Sequence, residues 1–190
     1  MTKLRIGYAF CGSFCTLARS LEQMKALAAE GHEIIPILSE RVATLDTRFG
    51  RAEDFRRRVE EIAGRSVIRT IEDAEPLGPA LPLDLLILAP CTGNTLAKIA
   101  AGITDSSVTM AAKAHLRRDR PLLIALASND AMSQNLHNVA LLLQRKAVWF
   151  LPMKQDDPEK KPHSLVAEYE RMPEGVAAAM AGKQLFPLFL

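Results

Sequence analysis

The sequence of 190 residues has few cysteines and no excess of charge of one sign. Cys11, Cys15 and Cys91 form no CxxC pair, and an odd count does not suggest a disulfide framework, which favours a reducing, cytosolic setting. The first apolar stretch is short and polar residues follow it, so we expect neither a signal peptide nor a transmembrane span. A net charge of +2 favours neither a nucleic-acid partner nor a membrane surface.

Several catalytic and metal-binding motifs are also missing. The four histidines (His32, His115, His137 and His163) have no metal-ligand spacing and there is no HExxH, so we predict no metal site. No GxSxG elbow supports a Ser–His–Asp triad, although such a triad stays open. There is no GxGxxG dinucleotide fingerprint. The densest basic run, 56–58, has no interleaved aromatic residues and is predicted to lie on a solvated helix face.

Apolar strand-like runs alternate with helical periodicity along the chain, which predicts a single domain over residues 1–190. The pattern favours an α/β fold with a doubly wound, Rossmann-like parallel sheet between two helical layers. Pro36 hints at an edge strand. The apolar tail 186–190 needs a partner surface. Predicted strands are 4–10, 33–38, 67–68, 85–89, 121–127 and 148–151; predicted helices are 13–29, 52–63, 71–74, 95–101, 107–116, 133–145 and 164–181, the last with a possible interruption at Pro173 and Gly175; 43–50 is predicted as loop.

The most informative segment is 83–105, in which a buried strand delivers small and hydroxylated residues to a helix N-terminus. Such a turn is suited to holding an anion, because helix N–H groups point at the ligand. Structural capping would need only one polar side chain, yet Thr92, Asn94 and Thr95 are all present. The predicted ligand-binding residues of this turn are Cys91, Thr92, Gly93, Asn94, Thr95 and Lys98, with Cys91 either a reactive thiol or a small buried filler.

A similar turn follows the first strand. Gly12 would let the backbone approach a phosphate closely, and Ser13 could cap the helix or donate its hydroxyl, the alternative being capping without a ligand. Ser39 ends the second strand and would face the same crevice in a doubly wound sheet. These residues predict a nucleotide or flavin phosphate site at the carboxyl ends of the strands.

Asn129 and Asp130 follow the strand 121–127 and would reach the same rim of the sheet. Asp130 is the acid at a strand end, so it is a candidate general base, with Asn129 beside it positioning a substrate. An N-cap for the following helix is an equally good interpretation of Asp130. Lys98 or Lys113 is a candidate partner for a substrate carboxylate. His163 lies in a turn that is either a ligand-closing loop or an ordinary surface loop.

Several motifs resemble a known superfamily. GSFCT at 12–16, Ser39 and PCTGNTLAKIAAGITD at 90–105 are similar to the homo-oligomeric flavin-containing Cys decarboxylase superfamily, which includes phosphopantothenoylcysteine decarboxylase and the flavin prenyltransferases. Together with SERVATLDTRFG, IEDAEPLGP, SNDAMSQN and QDDPEKKPHSLVA they resemble more narrowly the family of dipicolinate synthase B subunits, over nearly the whole chain.

The resemblance implies a flavoprotein-type fold that binds FMN. Carried over by motif, Gly12, Ser13 and Phe14 would line the flavin phosphate and ring, Ser39 would lie at the phosphate, and the residues of the second turn would form the opposite wall. The implied reaction is oxidation of a dihydrodipicolinate-level intermediate to dipicolinate during sporulation, in the cytoplasm of the mother cell. The implied partners are an A subunit carrying the NADP site, a small dicarboxylate substrate and further copies of this chain in a trimer or dodecamer.

The chain departs from the wider superfamily at three places. No histidine stands in the stretch 17–27, SNDAMSQN replaces the PxMNxxMW-type segment, and Met110 stands where the prenyltransferases have an arginine. Decarboxylation of a cysteinyl substrate is therefore disfavoured. Two rivals remain as hypotheses: a flavin prenyltransferase or decarboxylase, and a non-catalytic accessory subunit that stabilises its partner.

Overall fold

The computed structural model describes residues 3–78 and 80–190. Within these ranges, seven strands form one sheet whose central members are completely buried runs of aliphatic residues, as expected for a sheet covered on both faces. In chain order the strands are β1 (Arg5–Phe10), β2 (Glu33–Leu38), β3 (Leu85–Cys91), β4 (Leu122–Ser128), β5 (Val148–Phe150), β6 (Met153–Lys154) and β7 (Leu165–Ala167).

The order of the strands across the sheet begins β2–β1–β3–β4, and these four are parallel. β7 follows, antiparallel to β4, and then β6, antiparallel to β7. β5 lies parallel to the first half of β4. The chain passes from β1 outward to β2 and then returns to place β3 on the other side of β1. The carboxyl ends of β1 and β3 therefore form a topological switch point, where open α/β sheets bind their ligands.

Helices cover both faces of the sheet, and among the described helices none is long and apolar enough to cross a membrane. Short 3₁₀ turns at Phe14–Thr16, Glu75–Leu77 and Tyr169–Arg171 precede or follow them. The helices are α1 (Leu17–Ala29), α2 (Glu40–Thr44), α3 (Ala52–Ala63), α4 (Ile71–Ala74), α5 (Gly93–Ala100), α6 (Ser107–Leu116), α7 (Leu136–Leu143) and α8 (Met172–Met180).

Two buried apolar clusters lie on opposite faces of the sheet. Along β1, Ile6, Tyr8 and Phe10 belong to the cluster shared with α1, α3 and α8, whereas Ala9 belongs to the cluster shared with α5, α6 and α7. This alternation follows from the two-residue period of a strand. The three-layer α/β/α architecture predicted from the sequence is confirmed.

The interpretation of Pro36 as an edge-strand residue agrees with the sheet order, because β2 is the outermost strand at its end. The Pro36 carbonyl accepts the N–H of Ile68 at 2.9 Å, and Ile68 returns its carbonyl to the N–H of Leu38 at 2.8 Å. The predicted strand 67–68 is therefore wrong: the structure has one parallel bridge between Ile37 and Ile68. A proline in the edge strand leaves this flank without a regular ladder.

The C-terminal prediction is also wrong in part. Residues predicted as the start of a helix at 164 form β7, and the helix α8 begins only at Met172, with Pro173 in its first turn rather than interrupting it. β6 and β7 were missed because two- and three-residue strands carry no local signal and exist only through pairing, β7 with β4 and β6 with β7. The tail pairs with β6 by a bridge between Met153 and Phe189.

Other element boundaries differ by a few residues. The helix α2 occupies part of the predicted loop 43–50, β3 continues past the predicted end at 89, and the predicted helices 95–101 and 133–145 begin at Gly93 and Leu136. At the two helix starts, polar turn residues were assigned to the wrong side of the boundary, since capping side chains and helical residues overlap in type.

Candidate functional site

A polar crevice opens at the switch point, where the turns after β1, β2 and β3 meet. Backbone hydrogen bonds hold the turns together: the N–H of Ser39 donates to the Phe10 carbonyl, and that of Cys11 donates to the Pro90 carbonyl, both at 3.0 Å. The cavity has a volume of about 520 Å³. Its lining residues are Gly12, Ser39, Glu40, Arg41, Thr92, Asn94, Thr95, Lys98, Asp105 and Ser106.

Ser39 supplies an unpaired hydroxyl to this crevice. Its Oγ is buried and finds no hydrogen-bond partner among the described residues, and it does not cap α2, although Ser39 stands at the N-cap position. A buried hydroxyl without a partner costs about 1–3 kcal/mol. A ligand oxygen in the crevice would satisfy it.

The N-terminus of α5 supplies backbone donors from the opposite side. Thr92 is the N-cap, and its Oγ1 accepts the N–H of Thr95 at 3.2 Å while donating to the Thr95 hydroxyl at 3.1 Å. Because the first N–H groups of a helix have no intrahelical acceptor, those of Gly93 and Asn94 stay available to a ligand. This end of the helix also favours negative charge. The arrangement can hold an anion such as a phosphate.

Gly12 forms the floor between these two donor sets. A Cβ built on it would meet only the Phe14 ring at 3.5 Å and the Arg41 Cβ at 3.7 Å, which are ordinary van der Waals contacts. The protein itself therefore does not need a glycine at this position. The absence of a side chain leaves the backbone open to close approach from the crevice.

Two cationic side chains line the crevice, and only one of them has an ion-pair partner among the described residues. The Lys98 Nζ bonds both oxygens of Asp105 at 2.7 and 2.9 Å, and this hydrogen bond lowers the pKa of Asp105. Arg41 has no ion-pair partner among the described residues, and Glu40 is the other acid of the lining. Arg41 is not among the site residues predicted from the sequence; its position two residues after Ser39 was the signal that could have found it.

Ser13 and Phe14 do not line this crevice. The Thr16 hydroxyl donates to the carbonyl of Ser13 at 2.9 Å and to its Oγ at 3.2 Å, so Ser13 stabilises the 3₁₀ turn. The Phe14 ring turns to the other side of Gly12 and lines a second, apolar cavity. Of the predicted first turn, only Gly12 reaches the crevice.

Cys91 is buried in the apolar cluster beneath α5 and is not part of the crevice wall. Its thiol lies against that of Cys11, which is also buried. The hydrogen bond to Cys11 and the burial together raise the pKa of Cys91, so its thiol is protonated at neutral pH. This placement matches the interpretation of Cys91 as a small buried filler rather than a reactive group.

Asp130 belongs to a hydrogen-bonded cluster beside the N-terminus of α5. One carboxylate oxygen accepts the Ser128 hydroxyl at 2.5 Å and the other accepts the Asn135 side-chain N–H at 2.9 Å. The Asp130 carbonyl accepts the N–H groups of Ser133 and Asn135, both at 3.1 Å. Asp130 thus organises the turn 129–135 and does not cap α7, whose N-cap position is Asn135.

Gly93 lies directly against this cluster. A Cβ there would come within 2.4 Å of the Ser128 Oγ, 2.6 Å of the Asn135 Nδ2 and 2.9 Å of an Asp130 oxygen. Glycine is required for the α5 N-terminus to approach the turn so closely. The cluster therefore fixes the position of the donors that face the crevice.

The remaining candidates are dispersed. Asn129 is exposed at the end of β4, next to Asp130. Lys113 is exposed and lines a separate shallow groove with residues of α5 and α6. His163 is exposed, and its carbonyl accepts the N–H of Met132 at 2.9 Å. The basic run is divided: Arg56 and Arg57 pair with acids of their own helix, and Arg58 lines the apolar cavity.

The fold and the crevice define the class: a doubly wound α/β protein with a polar, anion-suited site at its switch point. The model of the Flavoprotein family matches residues 1–176, and the chain belongs to that family. The resemblance identified from the sequence is confirmed.

Three similar proteins extend this result. The chain is 40% identical to the B subunit of dipicolinate synthase from Bacillus subtilis (strain 168), over 98% of this chain and 93% of that protein. The crystal structure of the dipicolinate synthase B subunit from Bacillus halodurans superposes with a TM-score of 0.90 at 37% identity, covering 98% and 96% of the two chains. A dodecameric FMN-dependent UbiX-like decarboxylase from Escherichia coli O157:H7 shares the fold, with a TM-score of 0.64 at 24% identity over 78% and 80%.

Proposed function

We propose that the crevice binds the phosphate of FMN. The observation that carries the proposal is the buried Ser39 Oγ without a partner, since a hydroxyl in this state needs an acceptor that the protein does not provide. Membership of the Flavoprotein family supports the choice of a flavin. The residues fit the group: a hydroxyl, the N-terminal residues of α5 and an open glycine line the same space.

Each residue has a defined task in this proposal. Ser39 donates its hydroxyl to a phosphate oxygen, Gly93 and Asn94 donate backbone N–H groups, and Arg41 balances the charge. Lys98 holds Asp105 and thereby keeps that carboxylate away from the anion. FMN, when bound, supplies two-electron redox chemistry.

We propose further that the chain acts as the B subunit of a dipicolinate synthase. Its substrate would be a dihydrodipicolinate-level dicarboxylate that loses two electrons and two protons to become the aromatic pyridine, with NADP carried by a separate A subunit as the final acceptor. The support is the 40% identity to a protein of that name along nearly the full length of both chains. The setting proposed for this reaction is the cytoplasm of the mother cell in a spore-forming bacterium.

Asp130 stays a candidate base within this proposal. Both of its carboxylate oxygens already accept hydrogen bonds, so proton abstraction would have to break one of them. Asn129, which is exposed beside it, is the candidate for positioning the substrate. An Asp130→Asn variant that keeps full activity with the A subunit would remove the base assignment and leave Asp130 with its role in the turn.

We also propose that the chain assembles with copies of itself, as a trimer or a dodecamer. The tail supports this, because the Phe186, Phe189 and Leu190 side chains are 70%, 52% and 55% exposed, although Leu188 beside them is buried. An apolar strip of this kind favours burial against another surface. Light scattering of the chain and of a Phe186→Ser, Phe189→Ser variant tests it: the proposal expects an oligomer that the double variant weakens, and a monomeric parent chain contradicts it.

The first experiment is the near-ultraviolet and blue absorption of the purified chain after incubation with FMN and desalting. A retained flavin spectrum in the parent chain, weakened in Ser39→Ala and unchanged in Ser13→Ala, is the expected result. A colourless protein would overturn FMN binding. Dipicolinate formation is then measured with the A subunit alone and with both subunits; equal rates would favour the accessory-subunit rival.

The prenyltransferase rival has less support in this chain. Met110, at the position where those enzymes have an arginine, packs against the buried cluster under α6 and carries no charge. A product formed from prenyl phosphate and reduced FMN, without an A subunit, would nevertheless establish that activity. Its absence is the expected outcome.

A further inference from the structure

A second cavity lies on the other side of the first turn, between α1, α2 and α3. Its volume is about 140 Å³, and its walls include the rings of Phe14, Phe49 and Phe55. An apolar cavity of about 150 Å³ accommodates a benzene ring. Aromatic walls favour a flat, aromatic occupant. In size and in wall chemistry the cavity fits one six-membered ring.

The two charged side chains that line this cavity are both arginines. Arg51 and Arg58 belong to the lining and no carboxylate does. The acid that approaches Arg51 is Asp46: one of its oxygens is 4.0 Å from the Arg51 Nε, and the other accepts the N–H of Ala52 at 2.9 Å. A guanidinium group binds carboxylates with two parallel hydrogen bonds.

Arg58 differs from the two arginines that precede it. Arg56 bonds Glu53 and Glu60, and Arg57 bonds Asp54. Arg58 has no ion-pair partner in the described part of the chain, and it is the member of the run that lines the cavity. The unpaired cation therefore lies beside the ring-sized space rather than elsewhere on α3.

We propose that this cavity binds a planar six-membered ring bearing one or two carboxylates, held by its faces against the phenylalanines and by its carboxylates at Arg58 and Arg51. The choice of a pyridine dicarboxylate, or of its dihydro precursor, rests on the proposed function. The cavity adjoins the crevice, because Phe14 lines the former and its ring lies 3.5 Å from a Cβ built on Gly12 of the latter. The first turn thus separates a phosphate site from a site for an aromatic carboxylate.

Cys15 offers a direct readout of this site. It lines the cavity and is exposed, whereas the other two cysteines of the chain, Cys11 and Cys91, are buried. Alkylation by neutral iodoacetamide, followed by mass spectrometry without FMN, therefore reports whether the cavity is filled. At a dipicolinate concentration about ten times the Kd, occupancy would slow alkylation about tenfold.

Variants of the lining distinguish the contribution of the cavity's charge to binding from that of its shape. Arg58→Gln is expected to abolish protection of Cys15, and Arg57→Gln, its exposed neighbour on the same helix, is the matched control that keeps it. Ala18→Leu, which fills the cavity from α1 without changing its charge, also abolishes binding measured by calorimetry. Circular dichroism establishes that each variant is folded.

Two further ligands complete the test. Glutarate, an acyclic dicarboxylate, and inorganic phosphate are expected to leave the alkylation rate unchanged. Three results would overturn the proposal: Cys15 that is alkylated at an unchanged rate in saturating dipicolinate, glutarate that protects Cys15 as well as dipicolinate does, or an Arg57→Gln variant that loses protection as fully as Arg58→Gln. Because FMN is absent from the assay, failure of flavin binding and failure of this site are separate results.

Discussion

Two turns at the same edge of the sheet differ in whether their polar side chains have hydrogen-bond partners. After β2, the buried Ser39 hydroxyl has no partner among the described residues. After β4, Ser128, Asp130 and Asn135 use one another's donors and acceptors. An incomplete set of hydrogen bonds at a crevice indicates a ligand, whereas a complete set indicates structure.

The glycines of the two regions, Gly12 and Gly93, differ in the space around them. A methyl group at Gly12 would meet only ordinary contacts, and one at Gly93 would collide with three polar atoms of the Asp130 cluster. Contacts within the protein therefore require glycine at Gly93, whereas no contact of the described residues requires it at Gly12. The comparison yields four predictions.

The largest expected effect is on stability at the second region. Gly93→Ala should lower the free energy of unfolding by about 3 kcal/mol, because the new methyl forces hydrogen-bonded atoms apart. Urea denaturation measures it, with Gly12→Ala as the matched control, expected to change by less than about 0.5 kcal/mol. Equal losses in the two variants would break the comparison.

The second prediction concerns the pH dependence of stability, which arises from the buried His115. Burial, assisted by Arg120, lowers the pKa of His115 from 6.5 to about 4, against the opposing effects of the Pro121 carbonyl and Asp84. Below pH 6.5 the unfolded chain takes up a proton that the native chain refuses until about pH 4. The free energy of unfolding should therefore fall by about 2–3 kcal/mol over this interval and be constant above it with respect to this group.

Denaturation at a series of pH values tests this dependence. His115→Gln keeps a donor for the Pro121 carbonyl, which the His115 ring meets at 2.8 Å, and should lose most of the fall between pH 6.5 and 4. A parent chain whose stability is flat through that interval would contradict the assignment of a buried neutral imidazole.

The third prediction returns to the Asp130 cluster. Asp130→Ala leaves the donors of Ser128 and Asn135 without their acceptor, so it should cost about 2 kcal/mol of stability. FMN affinity should fall less than stability, since the carboxylate itself does not line the crevice and acts on the ligand only through the position of the α5 N-terminus. Asn129→Ala, a change at the exposed neighbour, serves as the control. A variant that is fully stable but unable to bind FMN would reverse the assignment of the two regions.

The smallest expected effect is at the first region. Ser39→Ala should weaken FMN binding about tenfold, or about 1.4 kcal/mol, because the phosphate loses one donor. Stability without FMN should stay equal or rise slightly, since a buried hydroxyl without a partner is removed. Fluorescence titration and urea denaturation of the same preparation provide both numbers. A loss of stability with unchanged affinity would mean that Ser39 is structural.

The parallel core of the fold was predictable from the sequence, whereas its C-terminal edge was not. Apart from Arg5 at the start of β1 and Ser128 at the end of β4, the runs that form β1, β3 and β4 are almost entirely apolar, so their identity as buried strands is visible locally. β6 and β7 consist of two and three residues; β7 exists because β4 offers an edge to pair with, and β6 because β7 does. Pairing over such sequence distances leaves no local pattern.

The candidate site divides in the same way. Thr92, Asn94 and Ser39 could be selected because polar residues follow strands at fixed positions. Other features of the site depend on neighbours elsewhere in the chain or on the orientation of a helix face. They are the direction of the Phe14 ring, the ion pair between Lys98 and Asp105, and the lack of an ion-pair partner for Arg58 among the described residues. Residue type gave the candidates, and contacts separated those that face the crevice from those that do not.

The sequence by itself determined the layers of this protein and the edge of the sheet at which the polar crevice lies, because hydrophobic periodicity and strand–turn–helix order are local properties. The tertiary structure alone decided which polar atoms have hydrogen-bond partners among the described residues and which have none. That distinction depends on three-dimensional proximity: Ser39 and Asp130 both follow a strand, but only Asp130 has donors within reach.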